Sequence, residues 1–317
     1  MMPSVFQAIS FASLLLTGVH AWGNEGHRAV GFIAMEFLAP KALDFVRSTL
    51  GKPYNGSLGP AATWADSVRR TPEYKWSGSW HFIDVEDKAP VSCGIVEARD
   101  CPSGCILTAI ANYTNRVIDE DLSADQRLEA LKFLTHFAGD IGQPLHAEGK
   151  EVGGNHILTK CGGLPMNLHA VWDVGIIKKH LKLNFADSSE AWIESLISGI
   201  QFGKYKSRTG EWLSCTSTTQ LSRNSQAHEV DTTGTNAQTP ITSNSLTFLE
   251  CPLVWASDSN KYDCSAVFQF TSEDDLCDES SSYYAIAVDI IELQIAKQGY
   301  RLAAWLNALF DGEPYLP

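Results

Sequence analysis

The chain has 317 residues and a formal net charge of −13 at pH 7. Its apolar fraction of 44% and charged fraction of 19% are those of a globular protein with a buried core, which excludes a disordered chain. The negative charge argues against nucleic-acid binding through a basic patch, although bound divalent cations can reverse a local field and hold phosphate. After residue 21 no stretch approaches the roughly 20 apolar residues that span a bilayer, so we expect a soluble mature chain with no membrane partner.

Residues 1–21 are typical of a secretory signal peptide, and residues 22–317 would then form the mature domain. Ile9 to Val19 form an apolar core, and Val19-His20-Ala21 is an acceptable cleavage site, although the segment has no Lys or Arg. A buried N-terminal helix is the alternative. The polar, glycine-rich sequence Trp22-Gly-Asn-Glu-Gly-His27 follows at once, which favours the signal peptide and secretion.

Eight cysteines in a secreted chain predict up to four disulfide bonds. None of them lies in a Cys-x-x-Cys zinc pattern, and Cys101-Pro-Ser-Gly-Cys105 would close a small local loop. Two sequons, which begin at Asn55 and Asn112, are candidate N-glycosylation sites and fit the same compartment.

Helical periodicity predicts a mainly α fold in a single domain. In the first half of the chain we predict helices over Gly26–Leu38, Lys41–Leu50, Ala61–Arg70, Ile106–Asp119 and Ala124–Gly139. Pro40 and Gly51 are typical of the two ends of the second helix. Ser123 and Gln126 predict a capping box for the fifth helix. The aromatic and β-branched segment Trp80–Val85 predicts extended backbone.

In the second half, the glycine-rich residues 147–164 predict a loop or hairpin. We predict helices over Met166–Leu181, from a cap at Asp187 and Glu190 to about Phe202, and over Glu279–Phe310 with a break near Gly299. Residues 203–250 are dominated by Ser, Thr, Asn, Gln and Gly, which predicts a long surface insertion closed by Cys215 and Cys251.

Two His-x-x-x-Asp pairs occur on predicted helices: His136 with Asp140, and His169 with Asp173. Residues four apart lie on one face of a helix, so each pair presents an imidazole and a carboxylate to one point. His146 follows just after the helix stop at Gln143-Pro144. Imidazole and carboxylate together suit zinc, and inward-pointing side chains from facing helices can build a metal site. The pattern predicts a polynuclear zinc site.

Five motifs in one order give the chain a resemblance that covers nearly all of residues 22–317. They are Trp22-Gly-Asn-Glu-Gly-His27, Thr63-Trp-Ala-Asp66, His81-Phe-Ile-Asp84, His136-x3-Asp140-x-x-Gln-Pro-Leu-His146 and Leu168-His169-x-x-Trp-Asp173. Together with Gly299-Tyr-Arg-Leu-Ala-Ala-Trp-Leu306 they resemble the S1/P1 nuclease family, the secreted zinc-dependent single-strand nucleases of fungi and plants. The resemblance implies a helical tri-zinc architecture, shared with zinc phospholipases C, with a short hairpin and long loops.

The resemblance also implies which residues hold three zinc ions. One ion would bind Asp66, His81, His136 and Asp140; a second would bind the amine and carbonyl of Trp22, His27 and the shared Asp140; a third would bind His146, His169 and Asp173. A metal pair about 3.5–4 Å apart lowers the pKa of a shared water, and a third ion offsets charge on phosphate or the departing oxygen. The implied activity is cleavage of single-stranded DNA and RNA to 5′-phosphorylated products, with 3′-nucleotides as further substrates.

Four residues are candidates for roles beside the ligands. Asp84 would orient the attacking water or support a ligating histidine, and the sequence leaves these two options open. Arg69 would position Asp84 or contact phosphate. Phe82 offers a face on which an unpaired base can stack. Gly175 stands where better-known family members carry an asparagine for base contact, so base preference stays open.

The resemblance further implies disulfide bonds between Cys93 and Cys264 and between Cys101 and Cys105. The histidines at 156, 180 and 228 match no motif and are predicted to lie at the surface. Nothing in the sequence points to an obligate oligomer, so we expect a monomer.

Two alternatives remain. A zinc phospholipase C would need an apolar surface that docks on membranes, and no aromatic-rich loop of that type is present. A metal-sequestering or structural zinc protein would favour closed four-ligand sites, whereas nine candidate ligands for up to three ions leave positions open for water and substrate.

Overall fold

The computed structural model describes residues 22–215, 250–313 and 316. The predicted signal peptide, most of the predicted insertion and His228 lie outside these residues. The described part is mainly α-helical with one two-stranded antiparallel hairpin, which confirms the predicted fold class. None of the described helices is long and apolar enough to cross a membrane.

The described α-helices are α1 (Asn24–Glu36), α2 (Pro40–Leu50), α3 (Leu58–Ala61), α4 (Trp64–Val68), α5 (Glu97–Asp100), α6 (Ile106–Ile118), α7 (Ala124–Asp140), α8 (Leu168–Ala170), α9 (Ile176–Asn184), α10 (Ser189–Gln201), α11 (Thr209–Trp212), α12 (Glu250–Tyr262) and α13 (Ser282–Phe310). Segments of 3₁₀-helix cover Lys52–Tyr54, Lys75–His81, Pro144–Ala147 and Lys206–Arg208, and π-helical turns cover Val171–Gly175 and Asp263–Val267. The hairpin pairs β1 (Leu158–Cys161) with β2 (Leu164–Asn167).

The first and the last described helices pack against each other in the core. Gly299 of α13 lies so close to α1 that a Cβ there would be 2.6 Å from the Cβ of Ile33 and 3.0 Å from the carbonyl oxygen of Val30. The predicted helix break near Gly299 is therefore wrong. The glycine permits a close helix approach, and α13 runs unbroken to Phe310.

Asn307 joins α13 to the turn between α1 and α2. Its Nδ2 donates to the carbonyl oxygen of Phe37 at 2.9 Å, and its Oδ1 accepts from the backbone N–H of Ala39 at 2.7 Å. The amide thereby satisfies backbone groups at the end of one helix and at the start of the next.

The predicted capping box opens α7. Ser123 Oγ accepts from the backbone N–H of Gln126, and the Gln126 side chain accepts from the backbone N–H of Ser123. The chain leaves α7 at Asp140 and passes through Gln143 into a 3₁₀ turn, as the predicted stop requires. This long helix carries two of the predicted ligands into the core.

Several other predictions need correction. Trp80 and His81 lie in a 3₁₀-helix, so the extended prediction holds only from Phe82 onward. Residues 166 and 167 belong to β2, and the helical segment begins at Leu168. The N-cap of α10 is Ser188 and not residue 187.

The first part of the predicted insertion packs into the protein. Tyr205 and Trp212 are buried, and Cys215 is disulfide-bonded to Cys251. Helix α12, which the sequence analysis did not predict, follows from residue 250. The structure also pairs Cys93 with Cys264, Cys101 with Cys105 and Cys161 with Cys277.

A cluster around Glu292 joins α9, α10 and α13. Glu292 Oε1 accepts from Trp192 Nε1 at 3.2 Å and lies 2.9 Å from His180 Nε2, while Oε2 accepts from Lys204 Nζ at 2.7 Å. His180 is therefore half-buried and in contact with Glu292, which corrects its prediction as a surface residue, whereas His156 is exposed.

Candidate metal centre

Asp140, at the end of α7, is the point on which the first group of predicted ligands converges. Its Oδ1 lies 3.1 Å from His27 Nε2. Its Oδ2 lies 3.0 Å from His81 Nδ1 and 3.2 Å from His136 Nε2. All four side chains are buried. We call these residues, together with Asp66, the first cluster.

Within the first cluster, the nitrogen and oxygen donors also lie close enough to one another to bind the same metal ion. His136 Nε2 lies 3.0 Å from His81 Nδ1. Asp66 Oδ1 lies 3.7 Å from the former atom and 3.8 Å from the latter. The rings of His27 and His136 stack with their centroids 3.8 Å apart. Helices α1, α4 and α7 and the 3₁₀ turn that ends at His81 supply these side chains.

A second cluster consists of His146, His169 and Asp173. His169 Nε2 lies 3.2 Å from His146 Nε2 and 3.2 Å from Asp173 Oδ2. Gln143 Nε2 donates to the other oxygen of Asp173 at 2.7 Å, which fixes the orientation of the carboxylate. All four residues are buried.

Backbone carbonyls fix the protonation of three histidine rings. His136 Nδ1 lies 2.6 Å from the carbonyl oxygen of Ala62, His146 Nδ1 lies 2.7 Å from that of His81, and His169 Nδ1 lies 2.6 Å from that of Gly153. A carbonyl oxygen only accepts hydrogen bonds, so each Nδ1 carries a proton. The Nε2 lone pair of each neutral ring then faces its cluster, which is the arrangement of metal-ligating histidines.

The contact between His146 and His169 tests whether the second cluster fits a metal. The two Nε2 atoms face each other at 3.2 Å, and in the neutral rings neither carries a proton, because each Nδ1–H is bonded to a carbonyl. Two lone pairs at this distance repel, and a cation between them converts the repulsion into two bonds. The donor set of buried imidazoles and a carboxylate fits a transition-metal ion.

Several side chains of the clusters have shifted pKa values that favour the protonation state in which they bind a metal. Burial lowers the pKa of the His81 ring to about 4 in spite of the neighbouring Asp140. Burial also lowers the pKa of His27 and of His146. Burial opposes ionisation of Asp140, but His136 and His27 outweigh it, so the pKa of this carboxyl lies well below its usual range. Neutral imidazoles around an ionised carboxylate are ready to bind a cation.

His136 and His169 behave differently. Burial lowers the pKa of each ring, but Asp140 and Asp66 outweigh it at His136, and Asp173 outweighs it at His169, so that both pKa values lie above the ordinary value. Metal binding at these nitrogens must displace protons.

Trp22 precedes a backbone contact between the start of α1 and the second cluster. Its side chain is fully buried, and the backbone N–H of Gly23 donates to the carbonyl oxygen of Asp173 at 2.8 Å. The start of α1, which carries His27, is thereby tied to the segment that carries the second cluster. The ligand role of the Trp22 amine and carbonyl stays a prediction.

Of the catalytic candidates, Arg69 lies against the first cluster and Asp84 lies outside both. Arg69 Nε is 3.3 Å from Asp66 Oδ1, and its charge also acts on His169. Asp84 is exposed, and partial desolvation followed by the charge of Glu86 raises the pKa of its carboxyl. Within the described ranges, no hydrogen bond or ion pair joins Asp84 to Arg69 or to a histidine.

The two substrate-binding candidates differ in their surroundings. Phe82 is half-buried on extended backbone directly after His81. Gly175 is buried against a disulfide bond, and a Cβ there would be 2.8 Å from Cys161 Sγ and 3.1 Å from Met166 Sδ. Packing against this disulfide therefore explains why the position holds glycine.

Sequence reasoning missed the residues that orient the ligands. Gln143 was noted as part of a helix stop and of a motif, but it was given no role, although its place between two ligands was a usable signal. The carbonyls of Ala62 and Gly153 carry no sequence signal, because any residue supplies one.

The helical fold and the two clusters define a protein built around a buried candidate metal centre. Residues 22–311 match the family model for S1/P1 Nuclease. Nuclease P1 of Penicillium citrinum is 37% identical over 294 residues, which cover 92% of this chain and 99% of that relative. Nuclease S1 of Aspergillus oryzae is 35% identical over 307 residues, which cover 95% of this chain and 96% of that relative.

A plant relative, Endonuclease 3 of Arabidopsis thaliana, is 29% identical over 307 residues, which cover 94% of this chain and 92% of that relative. The chain belongs to the S1/P1 nuclease family. This membership confirms the resemblance seen in the motifs and favours a nuclease over a phospholipase C or a non-catalytic zinc protein.

Proposed function

We propose that this protein is a secreted, monomeric, zinc-dependent endonuclease that hydrolyses single-stranded DNA and RNA to 5′-phosphorylated products and also acts on 3′-nucleotides. The observation that carries the proposal is the pair of buried clusters, in which imidazole nitrogens and carboxylates face one another at the distances of a metal-binding donor set. Four disulfide bonds support an oxidising, extracellular compartment.

The proposed ligand sets follow the clusters. Asp66, His81, His136 and Asp140 would hold one zinc ion, His27, Asp140 and the amine and carbonyl of Trp22 a second, and His146, His169 and Asp173 a third. When bound, zinc ions lower the pKa of water and offset charge that develops on a phosphate during attack.

Residues of the chain supply the remaining parts of the mechanism. The exposed Asp84 carboxylate would accept a proton from the attacking water, because its raised pKa brings it closer to a working general base. The Arg69 guanidinium, held by Asp66, would bind a phosphate oxygen. Phe82 would stack on a base that is free of a partner strand, which favours single-stranded substrates.

The first experiment compares substrates. Protein beginning at Trp22 is incubated with single-stranded DNA, duplex DNA, RNA and phosphatidylcholine, and the ends of the nucleic-acid products are analysed. We expect 5′-phosphorylated ends from both single strands and little cleavage of the duplex. Lipid hydrolysis without nucleic-acid cleavage would contradict the proposal.

The second experiment separates Asp84 as a catalytic residue from Asp84 as a ligand support. Asp84→Asn should lower kcat on single-stranded DNA by about 10²–10⁴-fold while zinc content stays unchanged. Asp44→Asn, which removes an exposed carboxylate on α2, is the matched control and should retain full activity. A loss of zinc from Asp84→Asn would assign the residue to ligand support instead.

The third experiment tests the amine ligand. A chain that retains Ala21 in front of Trp22 has an amide nitrogen in place of the free amine, and an amide is a much poorer zinc ligand. We expect this form to bind one zinc ion fewer than the form that begins at Trp22. Equal zinc content would remove the amine from the ligand set.

A further inference from the structure

Two buried residues connect the two clusters of the candidate metal centre. Asp140 of the first cluster is followed by Ile141 and Gly142, and then by Gln143, which donates to Asp173 of the second cluster. Helix α7 ends at Asp140, so its hydrogen-bond ladder does not satisfy the carbonyl oxygens of Ile141 and Gly142. We call residues 141–142 the link. The position of one cluster relative to the other depends on how the link is held.

Side chains of two other helices satisfy the carbonyls of the link. Ser259 Oγ of α12 donates to the carbonyl oxygen of Ile141 at 2.6 Å. Gln294 Nε2 of α13 donates to the carbonyl oxygen of Gly142 at 2.9 Å and to Ser259 Oγ at 3.0 Å. Among the described residues, no backbone N–H donates to either carbonyl. Side chains, and not secondary structure, therefore hold the link.

The orientation of the Gln294 amide is fixed from both ends. Its Nε2 donates to Gly142 and Ser259, and its Oε1 accepts from Lys297 Nζ at 2.8 Å. Lys297 is itself paired with the carboxylate of Asp258. A rotated amide would turn its oxygen towards the Gly142 carbonyl and its NH₂ group towards the Lys297 ammonium, and both contacts are unfavourable. The amide is thus held with its donor side facing the link.

Burial makes these hydrogen bonds necessary. Gln294 and Ser259 are both 0% exposed, and a buried polar group costs free energy unless its hydrogen bonds are made. The backbone of α13 is satisfied within the helix, so the helix itself has no need of a polar side chain at this position. Gly142 also lies close to α13, since a Cβ there would be 3.2 Å from Gln298 Cδ. The amide therefore serves the link, and an apolar side chain could not replace it.

We propose that Gln294 is a positioning residue that sets the spacing between the two clusters. Its printed partners are Gly142, Ser259 and Lys297, none of which is a predicted ligand, so it acts on the clusters through the link. The inference rests on the proposed zinc-dependent function, because the spacing matters to the reaction only when both clusters hold ions. Loss of the amide should therefore weaken metal binding at both clusters.

The test compares Gln294→Met with the control Asn307→Leu, in protein that begins at Trp22. Both variants replace a fully buried amide of α13 by an apolar side chain of similar size, but Asn307 holds the turn between α1 and α2. Competition with a chelator measures zinc affinity, and the visible spectrum of cobalt-loaded protein reports the geometry of the ligands.

We expect zinc affinity at both clusters to fall by about tenfold or more in Gln294→Met, with a changed cobalt spectrum. Asn307→Leu should lose stability to unfolding but keep the affinity and the spectrum of the original protein. The difference between the two variants separates positioning of the ligands from a general loss of stability.

Ser259→Ala is the second variant and decides the question if Gln294→Met does not fold. It removes one hydroxyl group, the donor to the carbonyl of Ile141, and leaves the Gln294 amide in place. Zinc affinity should fall in the same direction as in Gln294→Met, by a smaller factor. Equal zinc affinity in the original protein and in the variant that folds would overturn the proposal. An equal loss of affinity in Asn307→Leu would overturn it as well.

Neither of these measurements uses a nucleic-acid substrate, so they can be separated from a test of the activity. If the original protein binds zinc but cleaves no nucleic acid, the proposed activity fails, and the zinc affinities still decide the role of Gln294. With single-stranded DNA as substrate and saturating zinc, Gln294→Met should lower kcat more than it raises KM, because metal positions act on the chemical step. A raised KM with unchanged kcat would contradict the positioning role.

Discussion

The candidate metal centre and the Glu292 cluster each contain a buried carboxylate beside other ionisable side chains, but they are built in opposite ways. Around Glu292, one carboxylate faces donors from Trp192, Lys204 and His180. In the metal centre, Nε2 of His146 faces Nε2 of His169, and in the neutral rings neither nitrogen has a proton to give. Donors of the protein itself satisfy Glu292. The histidine-containing clusters need a cation from solution.

This comparison gives a criterion for recognising ion sites. Burial of charged groups alone does not mark one, because Glu292 is buried and satisfied. The mark is a set of buried acceptors that face each other without a donor.

The largest effect should come from the carboxylate that holds the first cluster together. Asp140→Asn removes the charge that faces His27, His81 and His136, and we expect nuclease activity to fall by more than about 100-fold with loss of bound zinc. Activity assays and zinc analysis check this, with Asp44→Asn as the control. Full zinc occupancy in Asp140→Asn would mean that the charge of Asp140 is not needed to hold the metal.

The corresponding change in the Glu292 cluster should affect stability and leave metal content unchanged. Glu292→Gln weakens the pairs with His180 and Lys204, and we expect a loss of about 2–3 kcal/mol in the free energy of unfolding at pH 7. Denaturant unfolding measures the loss. A change in zinc content would show that the two regions are not independent.

The same variant gives a pH dependence. Burial opposes ionisation of Glu292, but hydrogen bonds from His180 and Lys204 outweigh it and lower the pKa from 4.5 to about 2. A carboxyl whose pKa is lower in the folded state stabilises the fold above its unfolded pKa, and this contribution is lost as the pH falls through the folded pKa. The stability difference between the original protein and Glu292→Gln should therefore shrink between about pH 4.5 and pH 2.

A smaller effect is expected from the side chain that orients the second cluster. Gln143→Met removes the donor to Asp173 but keeps the length of the side chain, and we expect zinc affinity at one site to fall by about 10–100-fold. Competition with a chelator measures this affinity. Unchanged affinity would mean that His146 and His169 alone fix the carboxylate.

The smallest effect should come from one donor of the satisfied cluster. Trp192→Phe keeps the buried ring and removes the N–H that Glu292 accepts, and we expect a loss of about 1 kcal/mol in the free energy of unfolding. Thermal unfolding of Trp192→Phe and of Glu292→Gln under the same conditions compares the two losses of stability. A loss as large as that of Glu292→Gln would mean that the indole carries most of the cluster.

The sequence predicted those parts of the fold that depend on neighbours along the chain. The capping box of α7 and the proline at the start of α2 are of this kind. Helix α12 was missed because polar residues fill some of its buried positions: Ser259 Oγ donates to the carbonyl oxygen of Ile141, and Asn260 Nδ2 donates to that of Ala147. Apolar periodicity cannot reveal such a helix.

The candidate site likewise has parts that the sequence predicted and parts that it could not predict. The His-x-x-x-Asp spacing and the motif order named side chains that the structure brings together in two clusters. The carbonyls that set the tautomers come from segments far from the histidines in the chain. Only tertiary structure joins them.

The packing of α1 against α13 also has a consequence for biosynthesis. The helix that carries His27 is made long before α13, its packing partner in the core. A nascent chain cannot close this core before residues 282–310 have left the ribosome, because contacts so distant in sequence form late. Ribosome-bound chains that lack α13 should therefore expose the apolar face of α1, and we expect metal loading only after α13 has emerged.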